Sequence, residues 1–423
     1  ILGLYVVGSA GDDSKVEYLK KDLGFDDAFN YKTVPDGDLT KALQKACPKG
    51  IDIYFENVGG KMLDAVLTVA NRKARIVTCG MISQYNRSDN PEGNYNLMQI
   101  VAKSIRMEGF IVFNDFAHYQ GDFLREVGGW LKEGKIKYRE TVTDGITNAP
   151  QAFIEMLQGK NHGKAVVKVA DFSNISRCST TYILFSIKIP HIAFLPTMTV
   201  SQAPNNVENV KVIYKQIPQG IPKADQDFVI EKEALNLDTV EIPAENGVLL
   251  RSLYITVDPY MRGRMRDPKI SSYCPAFIAG SPMNGDVVAE VIRSNSPNLV
   301  PGDIVLGGLP WQSYIITQDQ EGSGGLINLK TARTAGHPLS YYLGVLGMPG
   351  LSGHSSLLDI GKPKAGETLF ISAASGAVGQ VVGQIGKILG LYVVGSAGDD
   401  SKVEYLKKDL GFDDAFNYKT VPD

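Results

Sequence analysis

The sequence predicts an α/β protein built on a doubly wound parallel sheet, joined to a second, β-rich domain. Three observations carry this. First, the apolar run Thr368-Leu369-Phe370-Ile371 leads into Ser372-Ala373-Ala374-Ser375-Gly376-Ala377-Val378-Gly379. An apolar helical pattern follows at Val381, Val382, Ile385, Ile388 and Leu389. Strand, small-residue turn and helix in that order open a Rossmann-type dinucleotide-binding unit. Second, short apolar runs ending in glycine alternate with helical patterns over residues 37–80, as in a parallel sheet covered on both faces. Third, residues 198–325 hold short β-prone runs separated by Pro and Gly turns, the pattern of a compact barrel-like domain.

The elements are expected in this order. Residues 39–46 read as a helix, 51–60 as a buried strand with a glycine turn, 61–69 as a helix and 74–80 as a strand. Amphipathic helices are expected over 122–135 and 149–158, and a strand over 165–169. Residues 173–197 break every pattern and read as a non-native-looking linker. The β-rich part has candidate strands at 210–216, 240–243, 247–257, 285–294, 303–307 and 311–317, and a helix is expected over 338–346.

Residues 1–36 recur identically at 388–423. Evolved repeats drift, so an identical pair is not a solenoid. The sequence reads as once around a circle of 387 residues with an overrun of 36, a circular permutation with duplicated ends. The expected dinucleotide-binding domain is 326–423 with 1–115, one copy of the duplicate being surplus. The expected second domain is 198–325 with 116–172. The parallel sheet has one slot for the duplicated strand, and the 388–423 copy, nearer the fingerprint, is expected to fill it.

Composition narrows the function. The 423 residues suffice for two or three domains with ample core. Hydrophobic residues at 43% and charged residues at 21% describe an ordinary globular chain. A net charge of −3, without a basic patch, argues against a nucleic-acid partner. Cys47, Cys79, Cys178 and Cys274 are scattered without C-x-x-C spacing, which predicts free thiols in a reducing, cytoplasmic setting. The opening residues do not read as a signal peptide. The apolar stretch 182–195 is interrupted by Lys188, Pro190 and His191, so no membrane role is expected.

The fingerprint has Ala374 in place of its first glycine and retains Gly376, Gly379 and Gly383. An NAD site places an acid roughly 20 residues on, to hold the ribose hydroxyls. Here that position is Ser396, which leaves room for a 2′-phosphate and suggests NADP. Lys402 stands where it can pair with that phosphate; the bland alternative is a solvated helix lysine.

Several stretches together resemble the zinc-independent medium-chain dehydrogenase/reductases, and within them the NADPH-dependent alkenal/one reductases of prostaglandin and leukotriene type. They are Val257-Asp258-Pro259-Tyr260-Met261-Arg262-Gly263-Arg264-Met265, Gly344-Val345-Leu346-Gly347-Met348-Pro349-Gly350-Leu351, Phe55-Glu56-Asn57-Val58-Gly59-Gly60, Gly80-Met81-Ile82-Ser83-Gln84-Tyr85-Asn86 and Gly159-Lys160-Asn161-His162-Gly163-Lys164, with the fingerprint itself. The resemblance implies a GroES-like second domain and a homodimer. It implies NADPH as cofactor, held by Ala374, Gly376, Ala377, Val378 and Gly379 at the turn. Ser396, Lys402 and Tyr418, or the copies Lys15 and Tyr31, would stand at the 2′-phosphate. Asn57, Cys79, Gly80 and Asn161 would line the cleft, Phe110 to Val112 would pass the nicotinamide, and Tyr85 would face the substrate with Tyr260 nearby. The family's Thr-Ala-Tyr after Gly-Leu is here Ser352-Gly353-His354.

The chemistry implied is reduction of the conjugated C=C bond of an enone or enal by hydride transfer to its β-carbon. Tyr85 suits the proton donor, since a phenol with pKa near ~10 stays protonated at neutral pH; the alternative is a pocket wall. Tyr260 reads more readily as wall than as catalyst, and His354 as a buried structural histidine or a proton relay. No metal site is expected, because no Cys or His stands in ligand spacing. No G-x-S-x-G elbow occurs, which argues against a hydrolase. Quinone reduction and cofactor binding without turnover are the alternatives.

Overall fold

The computed structural model describes residues 7–10, 27–30, 39–87, 90–172, 205–320, 325–330, 332 and 334–420. The 173–197 linker, Lys15 and Tyr31 lie outside the described residues. The first segment gives β1 (Val7–Ala10), β2 (Asp27–Asn30), β3 (Ile51–Glu56), β4 (Ala70–Thr78) and β5 (Arg106–Gly109), then β6 (Glu140–Asp144) and β7 (Lys164–Lys168). The second gives β8 (Asn206–Tyr214), β9 (Phe228–Asn236), β10 (Gly247–Thr256), β11 (Asn284–Ser294), β12 (Ile304–Pro310), β13 (Tyr314–Gln318) and β14 (Ile327–Asn328). It ends with β15 (Thr368–Ile371), β16 (Tyr392–Ala397) and β17 (Asp414–Asn417).

The fold is α/β with two separate sheets. The first has the order β2-β1-β17-β16-β15-β3-β4-β5, and every pairing in it is parallel. All four residues of β15 are buried, as a central strand covered on both faces requires. On one face Leu369 and Ile371 join Val381, Val382 and Ile385 of the Gly379–Ile388 helix. On the other, Phe370 joins Val394, Phe416 and Leu43 of the Leu39–Ala46 helix.

The duplicated segments take different places. β16 and β17 belong to 388–423 and stand directly beside β15. β1 and β2 belong to 1–36 and extend the sheet beyond β17. The two copies pair internally in the same register: Val7 opposite Asp27, as Val394 is opposite Asp414.

The second sheet runs β14-β12-β11-β10-β7-β6, with β13 also on β10. β8 and β9 form an antiparallel pair, bridged to the rest at Lys211–Gln312 and Ile213–Pro282. Its core gathers Trp311, Tyr214, Val212, Leu250, Val287 and Phe153. β7 pairs with β10, so strands from either side of the 173–197 segment build this layer.

Packing corrects four expectations. Residues 240–243 are not a strand, whereas Phe228–Asn236 is; Glu231, Lys232 and Glu233 are exposed on it, so it lacked an apolar alternation. The helix expected over 338–346 is one short 3₁₀ stretch, Leu339–Leu343. The Gln120–Lys132 helix buries Phe123 and Val127 with Leu351 and Val381, so it packs on the core of the parallel sheet, whereas the boundary expected at 116 put it with the β-rich part. β14 pairs with β12, so the β-rich sheet extends past residue 325. Among the described residues no helix is long and apolar enough to cross a membrane.

Candidate active site

The site lies at the carboxyl ends of β15, β3 and β4, where open parallel sheets collect their ligands. After β15 the chain turns sharply, with Ala373 at φ +50°, a conformation costly for a residue with a Cβ. Ala374 N–H donates to the Ser396 carbonyl at 2.7 Å, which ties the turn to β16. Ala374 is fully buried. Its methyl is tolerated because Gly395 has none; a Cβ there would stand 2.6 Å from that of Ala374. Gly379 also has a steric reason, since a Cβ would approach Ala374 Cα to 2.6 Å. At Gly376 an added Cβ would meet only the Ala373 carbonyl, at 3.1 Å, so the turn is open on that side.

β3 delivers Glu56 and Asn57. Asn57 Nδ2 donates to the Ser372 carbonyl at 2.8 Å, and its backbone N–H to Ser372 Oγ at 2.9 Å. Glu56 is fully buried and accepts from the N–H groups of Val58 and Gly59. Burial raises its carboxyl above the ordinary range, with those hydrogen bonds opposing. β4 delivers Cys79 and Gly80, whose N–H groups donate to the Glu56 carbonyl at 2.9 and 3.1 Å. Burial pushes the Cys79 thiol up to about 12, aided by Glu56, so it stays a neutral thiol.

Tyr85 folds back over this point. Met81 N–H donates to its phenol oxygen at 3.4 Å, and a Cβ on Gly80 would stand 2.9 Å from that oxygen. Glycine makes room for the phenol. Burial raises the Tyr85 pKa, the Met81 contact opposing and Cys79 and Glu56 adding to it. Phe110 is partly buried, its ring 5.2 Å from Phe116, and Val112 is buried in the same cluster.

The β-rich domain reaches the site through the Tyr260–Arg264 helix. Tyr260 packs against that domain's core, and burial raises its phenol. Arg262 Nε donates to Asn86 Oδ1 at 3.0 Å and its Nη2 to the Gly220 carbonyl at 2.8 Å, which couples the Tyr260 helix to the loop carrying Tyr85. Lys164 is buried beneath and donates to Asp258 at 2.9 Å, Thr256 at 2.6 Å and the Val257 carbonyl at 3.0 Å. Tyr273 was not legible in the sequence. It lies in an aperiodic loop, 60% exposed, and lines a cleft of about 390 Å³ with Arg266, Cys274 and Ile278.

The crevice's far end brings Lys402, Tyr418 and Asn161 together. Lys402 Nζ donates to the Gly159 carbonyl and lies 3.4 Å from Asp399. Burial lowers its pKa, with Asp399 opposing. A Cβ on Gly398 would stand 3.1 Å from Tyr418 Oη. Asn161 Nδ2 donates to the Gly163 carbonyl at 2.7 Å, and Gly163 bridges to Gly376. Ser396 is fully buried and its hydroxyl has no partner.

His354 does not join them. It is buried between the rings of Phe123 and Trp130, with Nε2 3.0 Å from Glu126 of the Gln120–Lys132 helix. It acts as a helix-to-helix tie. Among the described residues no three His, Cys, Asp or Glu side chains are grouped to hold a metal.

Comparison with known proteins finds the following likenesses. Residues 1–127 match the family described as zinc-binding dehydrogenase, and 211–323 match the N-terminal domain of oxidoreductase. The chain is 49% identical to the NADP-dependent oxidoreductase RED1 of Cochliobolus heterostrophus, over 50% of this chain and 59% of that protein. It is 45% identical to the NADP-dependent 2-alkenal reductase of Nicotiana tabacum, over 51% and 60%. Its homologues are medium-chain dehydrogenases/reductases. It is 48% identical to the (+)-pulegone reductase of Mentha piperita, over 40% of this chain and 48% of that protein. The chain spans about half to three fifths of the length of the curated relatives it matches.

Proposed function

We propose that this chain is an NADPH-dependent reductase of the conjugated C=C bond of small enones and enals. The observation that carries this is the half-buried Tyr85 phenol lying over Gly80 and against the Met81 N–H, near the open fingerprint turn at Gly376. The names of the relatives, 2-alkenal reductase and pulegone reductase, favour enones over quinones. The residues fit the cofactor. The cradle at Gly376 is one that a side chain would narrow, and the cations at the far end suit a phosphate. Bound NADPH supplies the hydride. Ala374, Gly376, Ala377, Val378 and Gly379 would hold the pyrophosphate, with the helix N-terminus behind them. Lys402 and Tyr418 would hold the 2′-phosphate. Asn57, Cys79, Gly80, Phe110, Val112 and Asn161 would wall the cleft. Tyr85 would hydrogen-bond the substrate oxygen and supply the proton that the α-carbon needs, and Tyr260 would close the pocket.

We read the chain as permuted, with 198–387 preceding 388–423 and 37–172 in functional order. The match to the N-terminal domain downstream of the dehydrogenase match supports this order. We also read it as a homodimer. β5 is an edge strand with the sequence Arg106-Met107-Glu108-Gly109. Two copies paired antiparallel about Met107 would set each Arg106 opposite a Glu108. Met98 and Val101, on the helix just before β5, are each 71% exposed and would be covered.

NADPH oxidation against alkenals, ketones and quinones, with product analysis, tests the activity. A saturated aldehyde or ketone is expected. An allylic alcohol as product, or turnover of quinones alone, would sink the reading.

A further inference from the structure

The far end of the crevice carries more positive charge than Lys402 alone. Three elements meet there: the 159–163 turn, the first turn of the Asp400–Lys408 helix and the Tyr418–Thr420 turn. His162 is fixed in the first by a backbone N–H to Thr141 Oγ1 at 2.9 Å, which in turn donates to the His162 carbonyl at 2.8 Å. Its Nε2 lies 3.0 Å from Ser401 Oγ, and its Nδ1 is buried without a partner. Ser401 donates to Asp399 at 2.6 Å. Lys419 Nζ hangs over two glycines; a Cβ on Gly398 would stand 3.4 Å from it, and one on Gly159 3.9 Å. The groups whose charges reach His162 are Asp399, Lys402 and Arg139. Arg139 sits over the Tyr405 ring at 5.4 Å, and Lys419 acts on Lys402. Asp399 faces Lys402 and the His162 imidazole, with Arg139 acting on His162 and Lys419 on Lys402.

We propose that His162 and Lys419 are specificity-determining contacts for the cofactor's 2′-phosphate, and that His162 contributes chiefly when protonated, so that the preference for NADPH over NADH steepens as pH falls. This rests on the reading of the chain as an NADPH-dependent enzyme. The sign follows from linkage. Burial holds the His162 imidazolium below the ordinary histidine range; Asp399 opposes this, and Lys402 and Arg139 add to it. An arriving phosphate favours the charged ring, so binding takes up a proton and tightens as pH falls. Lys419 adds a second ammonium beside Gly398 and Gly159.

The test measures dissociation constants of NADPH and NADH by cofactor fluorescence, from about pH 5.5 to about pH 8. Adenosine 2′,5′-bisphosphate against 5′-AMP, by calorimetry, isolates the phosphate from the nicotinamide. The wild-type NADPH preference is expected to rise by roughly tenfold toward acid pH, the worth of one charge-assisted hydrogen bond. His162→Gln is expected to abolish that rise. It would leave only the weakening caused by protonation of the phosphate itself, near pH ~6. Lys419→Gln is expected to lower the preference about tenfold at every pH without changing NADH binding. Superimposable pH profiles for wild type and His162→Gln overturn the proposal while the cofactor reading stands, as does an unchanged preference in Lys419→Gln. Equal binding of NADPH and NADH at every pH defeats the cofactor reading and the proposal together.

Discussion

At the residue scale, the site depends on side chains that burial keeps in one protonation state. Tyr85 is raised by desolvation, so it remains a phenol at neutral pH and keeps a proton to give. Tyr85→Phe is expected to lower kcat roughly 100-fold, the usual worth of a positioned acid. The KM for NADPH should hardly move. An unchanged kcat removes the donor role and leaves Tyr85 as wall. Lys164 is a different case. It is 1% exposed and its partner Asp258 is almost as buried. Lys164→Met leaves an unpaired carboxylate inside the fold and is expected to cost about 3–5 kcal/mol in denaturant unfolding. The double change Lys164→Met with Asp258→Asn should recover much of that. Equal losses in single and double variants would contradict the pairing argument.

At the element scale, two things decide the arrangement: how closely strands and helices approach, and which strands remain at an edge. The Gly379–Ile388 helix lies close against the sheet because Gly383 has no side chain; a Cβ there would fall 1.7 Å from the Phe412 ring. β5 is left as the outer strand beyond β4, and unpaired edges invite partners. If β5 pairs with its own copy, Arg106→Glu sets like charges opposite each other. That variant is expected to be monomeric in light scattering where the parent is dimeric. Reversal of both charges, Arg106→Glu with Glu108→Arg, restores the pairing and should restore the dimer. A dimer that survives Arg106→Glu would place the interface elsewhere.

At the scale of the whole molecule, the duplicated segment matters most. Both copies form the same strand pair in the same register, but only β16 adjoins β15. β1 is separated from β15 by β17 and β16. The Lys402 ammonium stands beside the 159–163 turn, where it donates to Gly159. Lys402→Gln is expected to raise the KM for NADPH roughly tenfold or more, as loss of a charge-assisted contact does. Lys15→Gln is expected to leave it nearly unchanged. A larger effect at Lys15 would mean that the 1–36 copy serves the cofactor.

The sequence by itself determined the strand–turn–helix of the fingerprint, the alternation that makes a parallel sheet, and the helix over 39–46. These rest on local periodicity and on turn chemistry, which neighbouring residues encode. It also put Asn57 and Cys79 just after strands and Lys402 at the start of a helix, where the structure has them. What only the tertiary structure decided is long-range. Helix 120–132 looks alike whichever core it covers; Phe123 and Val127 chose the dinucleotide-binding one through contacts with residues more than 200 positions away. β9 was hidden because its charged face carries no alternation. Two identical segments cannot be told apart by any local rule, and only competition for the place beside β15 separates them. His354 was ambiguous for the same reason: a histidine's role is set by its partners, and Glu126, Phe123 and Trp130 are brought to it by helix packing.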